Sequence, residues 1–299
     1  MKQSIIIPYY KNKQELYFSL NLLFMYLPKE VEVIIVANNY NPQELDISFP
    51  NCKILKYNRS LLYSKAANIG VQNATGDIIT LMDQDIFVTN NWYEPLIDKL
   101  LSDPNIGAVS SKMINPTNNR ILEYGIEYTP YNSAHIGKDL SAQSSLVQSD
   151  ISVSSACGGV LMTYKSLYNK LGGMDEDIPY ICCDCDFTLK LWALGKKVWV
   201  VGDSVVFHKS FTSKISGKIS DFSFLENDSR WIFYQKNASR MRYNLEAWMQ
   251  KTLQYYLEFH DVLKKYIFIN LSSYSNIDWY INIIKSKLGI DFYDNYAFL

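Results

Sequence analysis

Two aspartates, Asp83 and Asp85, stand one residue apart in the stretch TLMDQDIFVTNNW, directly after a short apolar run. Carboxylates side by side at the end of a buried strand each carry a desolvation cost unless something positive sits beside them, and a divalent cation holding a phosphate is such a partner. His208 ends another apolar run, followed by Lys209 and Ser210. A neutral imidazole there can complete an oxygen-rich shell that two aspartates leave open. Asp184 and Asp186 open a helical pattern, where acids are favoured by the macrodipole. Each feature has a plain alternative: solvated acids at a strand-end turn, a core histidine, ordinary acids of a first helical turn. Five cysteines (Cys52, Cys157, Cys182, Cys183, Cys185) are an odd number, three of them crowded together. Adjacent cysteines cannot readily both ligate one zinc and no second C-x-x-C exists, so free thiols in a reducing cytoplasm are expected.

The elements that must hold these residues follow from periodicity. Ser4 to Ile7 and Val31 to Val36 are apolar runs ending at Pro8-Tyr9-Tyr10 and Asn38-Asn39, and between them Leu16, Leu20, Leu23, Phe24 and Leu27 recur at helical spacing. This is a βαβ unit with strands apolar on both faces. A second unit runs from Cys52 to Leu55 as strand, Leu62 to Asn73 as helix and Asp77 to Met82 as strand. The aspartate pair thus sits at the carboxyl end of a sheet strand, where open parallel sheets bind ligands. Neither GxGxxG nor GxxxxGK[ST] follows any of these runs, so phosphate would be handled through a metal. Further along, a helix is expected from Asn90 to Ser102, a strand from Ile106 to Ser111, and a flexible polar excursion from Asn132 to Asp150. A strand from Val153 to Thr163 containing Gly158-Gly159 is expected next, then helices from Lys165 and Asp184 and a strand from Lys197 into His208. Beyond about 222, Met249, Leu253, Tyr256, His260, Leu263 and Ile267 mark a wide apolar helical face, expected to pack on the rest of the protein, with a homodimer or a contact with the inner face of the membrane as alternatives.

Composition narrows the function classes. At 299 residues the chain can bury a large core, and 29 Lys+Arg against 30 Asp+Glu leave a formal charge of −1, so no global field draws it to nucleic acid. The start, MKQSIIIPYY, is too short for a secretory core and no run of about 18 apolar residues occurs, so a chain neither exported by that route nor membrane-spanning is expected. The 23 tyrosines suit sugar faces and interfaces but also fill cores.

In order along the chain, SIIIPYY, VEVIIVANN, AANIGVQNATGDIITLMDQD, NRILEYGIEY, SACGGVLMTYKSLYNKLGGMDED, YICCDCDFTLKLWALGKKVWVV and VVFHKSFTS resemble the inverting glycosyltransferases of family 2. They are most similar to bacterial rhamnosyl and other surface-sugar transferases, over roughly residues 1–213. The resemblance implies an α/β GT-A fold: a mainly parallel nucleotide-binding sheet flanked by helices. It implies a catalytic domain at 1–221, with a nucleotide-binding half to about 110 and an acceptor half from about 111, and a helical extension at 222–299. It further implies Mn2+ or Mg2+ and a nucleotide-sugar donor, a UDP-sugar by preference and a dTDP-sugar as the alternative. The acceptor would be a glycan, a lipid-linked saccharide or a glycoprotein. Asp85 would ligate the metal with His208, Asp83 would face the ribose or the metal's waters, and Asp184 would be the base. Pro8, Tyr9, Tyr10, Asn38, Lys65, Asn68, Gln84 and Gly159 would line the donor pocket. Three positions depart from the pattern: Cys183 stands where a glutamate is usual, Ala37 where a strand-end acid is usual, and Ala67 where an arginine is common. They sustain a rival reading, a catalytically impaired domain that binds a partner transferase. A nucleotidyltransferase would need a glycine-rich basic loop after the first strand, and PYYKNKQEL has no glycine.

Overall fold

The apolar runs form the strands of one twisted sheet. The computed structural model describes residues 1–38, 47–128, 133–209 and 219–237. Its amino-terminal half is β1 (Gln3–Tyr9), α1 (Lys13–Tyr26), β2 (Glu32–Ala37), β3 (Cys52–Lys56), α2 (Leu62–Asn73) and β4 (Ile78–Met82). The strands lie in the order β3-β2-β1-β4, all parallel, with Ile5 beside Val33 on one side and Thr80 on the other. Ile5, Ile6, Ile7 and Val33 to Ala37 are buried, as a sheet covered on both faces requires. Helix α2 lies close on this sheet because Gly70 has no Cβ: one there would overlap Ile6 Cγ2.

After β5 (Ile86–Val88), α3 (Glu94–Ser102), β6 (Ile106–Asn115) and β7 (Arg120–Glu123) come the short strands β8 (Ile126–Tyr128) and β9 (Ser133–His135), which pair with each other. Then follow β10 (Ile151–Val153), β11 (Val160–Tyr164), α4 (Lys165–Lys170), α5 (Cys183–Ala193), β12 (Lys197–His208) and α6 (Ile219–Asn237). Strand β11 inserts antiparallel between β4 and β6, and β12 runs parallel to β6 on its far side, so the sheet is mixed beyond β4. Of the described residues, 1–126 and 136–237 belong to one compact unit, and 127–128 and 133–135 belong to a second. Among the described residues no helix is long and apolar enough to cross a membrane. The apolar stripe expected from Met249 to Ile267 lies outside the described residues.

Three local expectations need correction. Helix α3 starts at Glu94 rather than Asn90, because Pro95 fits only a first turn and Trp92 and Tyr93 are buried in the turn before it. The strand expected from Val153 to Thr163 is two strands, with the Gly158-Gly159 pair in the connection between them. The polar segment before Asp150 is tied down: Val147 is buried, its carbonyl accepts from the Lys112 ammonium at 2.9 Å, and Gln148 Nε2 donates to the carbonyls of Ala142 and Ser144.

Candidate active site

Asp83 and Asp85 leave β4 in a tight turn. The Asp83 N–H donates to Gly159 O at 3.0 Å and its carbonyl accepts from Ile86 N–H at 3.3 Å. Ser19 on α1 donates to Ile86 O at 2.5 Å, fixing the turn from the other side. Pairing of β5 with β12 sets Ile86 opposite His208, so sheet register delivers the imidazole to the aspartates. His208 Nε2 lies 3.3 Å from Asp85 Oδ1 and 3.8 Å from Asp83 Oδ2. One ligand atom from each of the three residues falls within 4.8 Å of the others. Beside them Lys209 pairs with Glu15 of α1 at 3.0 Å.

Burial and the gathered carboxylates shift the pKa values of these groups. Burial pushes the Asp83 carboxyl up to about 6, the Asp85 and Asp184 charges add to the rise, and His208 and the Tyr63 hydroxyl offset part of it. Burial works against the His208 cation but is outweighed by the hydrogen bond and charge of Asp85 and by Asp83, so its pKa is raised. Two carboxylate oxygens and one imidazole nitrogen, converging within 4.8 Å of one another, fit a hard divalent ion. Carboxylates suit both Mg2+ and Mn2+, and the nitrogen favours Mn2+.

Asp184 sits in the first turn of α5, after Cys182 in the left-handed region at φ 65°. Its Oδ2 accepts from Gly158 N–H at 2.5 Å and its Oδ1 from Cys185 N–H at 2.8 Å. Burial raises its pKa and nearby Glu123 adds to this, against the lowering effect of the two N–H bonds. The glycine pair is therefore the bridge between the two acids: Gly158 N–H holds Asp184 and Gly159 O holds Asp83 N–H. A Cβ on Gly158 would stand 3.1 Å from Asp184 Cβ, and one on Gly159 2.9 Å from Met113 Sδ, so a larger residue at either position requires the Asp184 or Met113 side chain to shift.

The neighbouring Asp186 has a structural role. It is fully buried, paired with Lys190 at 2.6 Å, and its Oδ1 accepts from Asn237 Nδ2 at 2.8 Å, which fastens α6 to α5. Replacing it with asparagine strips Lys190 of its partner, so Asp186→Asn is expected to lower unfolding free energy by about 2 to 4 kcal/mol in urea titrations. Unchanged stability would count against the buried Asp186–Lys190 pair as a stabilising contact within α5.

The other residues singled out in the sequence fall in two groups. Tyr10 N–H donates to Gln84 Oε1 at 2.7 Å and Gln84 Nε2 to Lys11 O at 2.9 Å, joining the ends of β1 and β4. Asn38 takes the Leu61 N–H on its Oδ1 at 2.9 Å and donates its own N–H to Tyr9 O, gathering β1, β2 and the approach to α2. Pro8 lies in β1 beside Val36, and the Tyr9 side chain packs in the core. Lys65 and Asn68, by contrast, face the segment after α4. Lys65 forms an exposed pair with Glu176 at 3.4 Å. Asn68 Nδ2 donates to Met174 O, while its Oδ1 accepts from Met174 N–H and the Tyr168 hydroxyl.

One residue of the cleft gave no signal in sequence. Tyr63, in the first turn of α2, places its hydroxyl 3.5 Å from Gly158 O and close to the carboxylates of Asp83 and Asp184, which with burial hold its pKa well above the ordinary tyrosine value. No motif distinguishes it among 23 tyrosines.

Known proteins resemble this chain in sequence and in fold. The family model described as glycosyl transferase family 2 matches residues 4–162. Polypeptide N-acetylgalactosaminyltransferase 5 of Mus musculus is 24% identical over 201 residues, covering 60% of this chain and 21% of that protein. The O-antigen biosynthesis protein RfbC of Myxococcus xanthus is 22% identical over 249 residues, covering 78% of this chain and 19% of that protein. The chain therefore spans about a fifth of the length of these relatives. A crystal structure of GalNAc-T7 with UDP, GalNAc and Mn2+ superposes with a TM-score of 0.57 at 16% identity, over 80% of this chain and 56% of that one, which shows a shared GT-A fold.

Proposed function

The chain belongs to glycosyl transferase family 2, and from that premise we propose that it is a metal-dependent inverting glycosyltransferase, moving a sugar from a nucleoside diphosphate to an acceptor hydroxyl. The observation that carries the reading is the convergence of Asp83, Asp85 and His208 at the carboxyl end of β4, with Asp184 held across the Gly158-Gly159 bridge. Asp85 and His208 would hold a divalent ion with Asp83 beside them; when bound, the ion supplies positive charge to the leaving diphosphate. Asp184 would take the acceptor proton as the hydroxyl oxygen attacks the anomeric carbon opposite the leaving group. The raised pKa of its buried carboxyl makes it a better base than a solvated aspartate. Pro8, Tyr10, Asn38 and Gln84 would frame the nucleotide, UDP by preference and dTDP as the alternative. The acceptor we take to be a glycan, a lipid-linked saccharide or a glycoprotein, met in the cytoplasm at the inner face of the membrane. The domain plan retained with this reading is a catalytic domain followed by a helical extension.

Thermal unfolding tests the donor site. Mn2+ with UDP at a hundred times its Kd should stabilise the fold by about 2.7 kcal/mol, and EDTA should remove the effect. Ligation requires deprotonated Asp83 and neutral His208, both of whose pKa values are raised. Protons therefore compete with the ion: Mn2+ affinity should be full above the raised His208 pKa and fall as pH drops through about 6. A UDP shift of equal size in EDTA would overturn the metal-dependent reading.

A further inference from the structure

Helix α2 begins in a way its sequence does not favour. Leu62, its first residue, has φ 59°, in the left-handed region that costs a non-glycine residue roughly 1 to 2 kcal/mol. Its neighbours hold it there: Leu61 N–H is bound by Asn38 Oδ1 at 2.9 Å, and the N–H groups of Tyr63 and Ser64 both donate to Pro179 O, at 3.0 and 3.2 Å. Ser64 Oγ adds a bond of 2.5 Å to Ile178 O. Strain of this kind persists only where the surroundings over-determine it, and it collects at functional sites. Its effect here is to turn the next side chain, Tyr63, into the cleft.

The hydroxyl that arrives there keeps capacity to accept. A phenol offers one donor and two lone pairs, and the contacts of the Tyr63 hydroxyl, a long one of 3.5 Å to Gly158 O and a hydrogen bond to the Asp83 carboxylate, both draw on its donor. It faces Asp83 on the metal side and Asp184 on the base side. In the transfer described above, the diphosphate lies at Asp83 and Asp85 and the attacking oxygen at Asp184, so the sugar ring must lie between them.

We propose that Tyr63 is a specificity-determining residue whose hydroxyl hydrogen-bonds a hydroxyl of the donor sugar. The proposal rests on the donor-site reading and deepens it. The sugar's hydroxyl donates to a lone pair of the phenol oxygen, and a donor lacking a hydroxyl at that position cannot make this bond.

Calorimetry with Mn2+ compares wild type and Tyr63→Phe, using UDP alone and then UDP-glucose, UDP-galactose and their N-acetyl counterparts, with dTDP and dTDP-rhamnose as the second series. The phenylalanine keeps the ring and removes one oxygen, so the fold is retained. Because Tyr63→Phe also removes the bond to Asp83, the reading is a ratio: the affinity of the sugar nucleotide that wild type prefers, relative to its bare diphosphate, should fall about 3- to 10-fold, as removal of one neutral hydrogen bond predicts. The proposal is overturned if bare and sugar nucleotides weaken equally, if no sugar nucleotide weakens, or if wild type binds every sugar nucleotide no better than its bare diphosphate. In each of these cases the donor site itself stands. Wild type that binds neither UDP nor dTDP in Mn2+ overturns the donor-site reading and this inference with it.

Discussion

Asp184→Asn retains nucleotide binding and loses sugar transfer by about two to four orders of magnitude, equivalent to roughly 3 to 5 kcal/mol of transition-state stabilisation. Asparagine has nearly the size of aspartate and its carboxamide oxygen can still accept the Gly158 N–H, so the glycine bridge survives while the bond from Cys185 N–H, local to the first turn of α5, is given up. What it cannot do is accept a proton at neutral pH. The measurements are transfer rate at saturating donor and UDP affinity for the same variant. A second readout comes from pH: in wild type, transfer should fall on the acid side as Asp184 takes up a proton, above the ordinary aspartate range because burial raises its pKa. Transfer near the parent rate would remove Asp184 as the base, and Asp186 is no substitute, being fully buried between Lys190 and Asn237. The same pair of measurements separates an enzyme from an impaired binding domain. Wild type that binds the donor and transfers to no acceptor, with Asp184→Asn indistinguishable from it, is the behaviour of the latter.

Asp85→Ala abolishes metal-dependent nucleotide binding. Loss of groups that merely orient a metal ligand typically costs 10- to 100-fold in metal affinity, and loss of a ligand should cost at least about as much. Asp85 is the more exacting choice of the two aspartates because its Oδ1 approaches His208 Nε2 at 3.3 Å, against 3.8 Å for Asp83 Oδ2. Its removal leaves His208 facing only the more distant carboxylate. Calorimetric titration of Mn2+ and then UDP reads the effect directly, and an unchanged Mn2+ affinity would sink the metal assignment whatever became of transfer.

Much of this site was legible one-dimensionally because its parts lie at element ends. Apolar runs of five or six residues announce buried parallel strands, and the first polar residues after them, Asn38 and Asp83 to Asp85, must emerge at the ligand-binding edge. His208 was readable in the same way. Asp184 was readable as a helix-start acid, though only resemblance to a family gave it a role. What stayed hidden depends on partners far apart in sequence. That β11 inserts antiparallel between β4 and β6 turned the expected strand around Gly158-Gly159 into a connection, and with it the glycine pair into the bridge between Asp184 and Asp83. Asn68 reads as a pocket residue until Tyr168 and Met174 are seen to occupy its amide. Tyr63 depends on a backbone angle at Leu62 that no propensity favours.

The contribution of β12 also sets an order of events during synthesis. Both aspartates lie before β5, whereas His208 is the final residue of the last strand among the described residues. A nascent chain that has emerged only through β11 carries the two acids without the imidazole, and β6 presents an open edge where β12 will pair. Long-range parallel pairing of this kind is intrinsically slow. Unlike small zinc domains, which fold around their ion, this protein must close its sheet before Asp83, Asp85 and His208 meet, so loading of the proposed metal would follow folding.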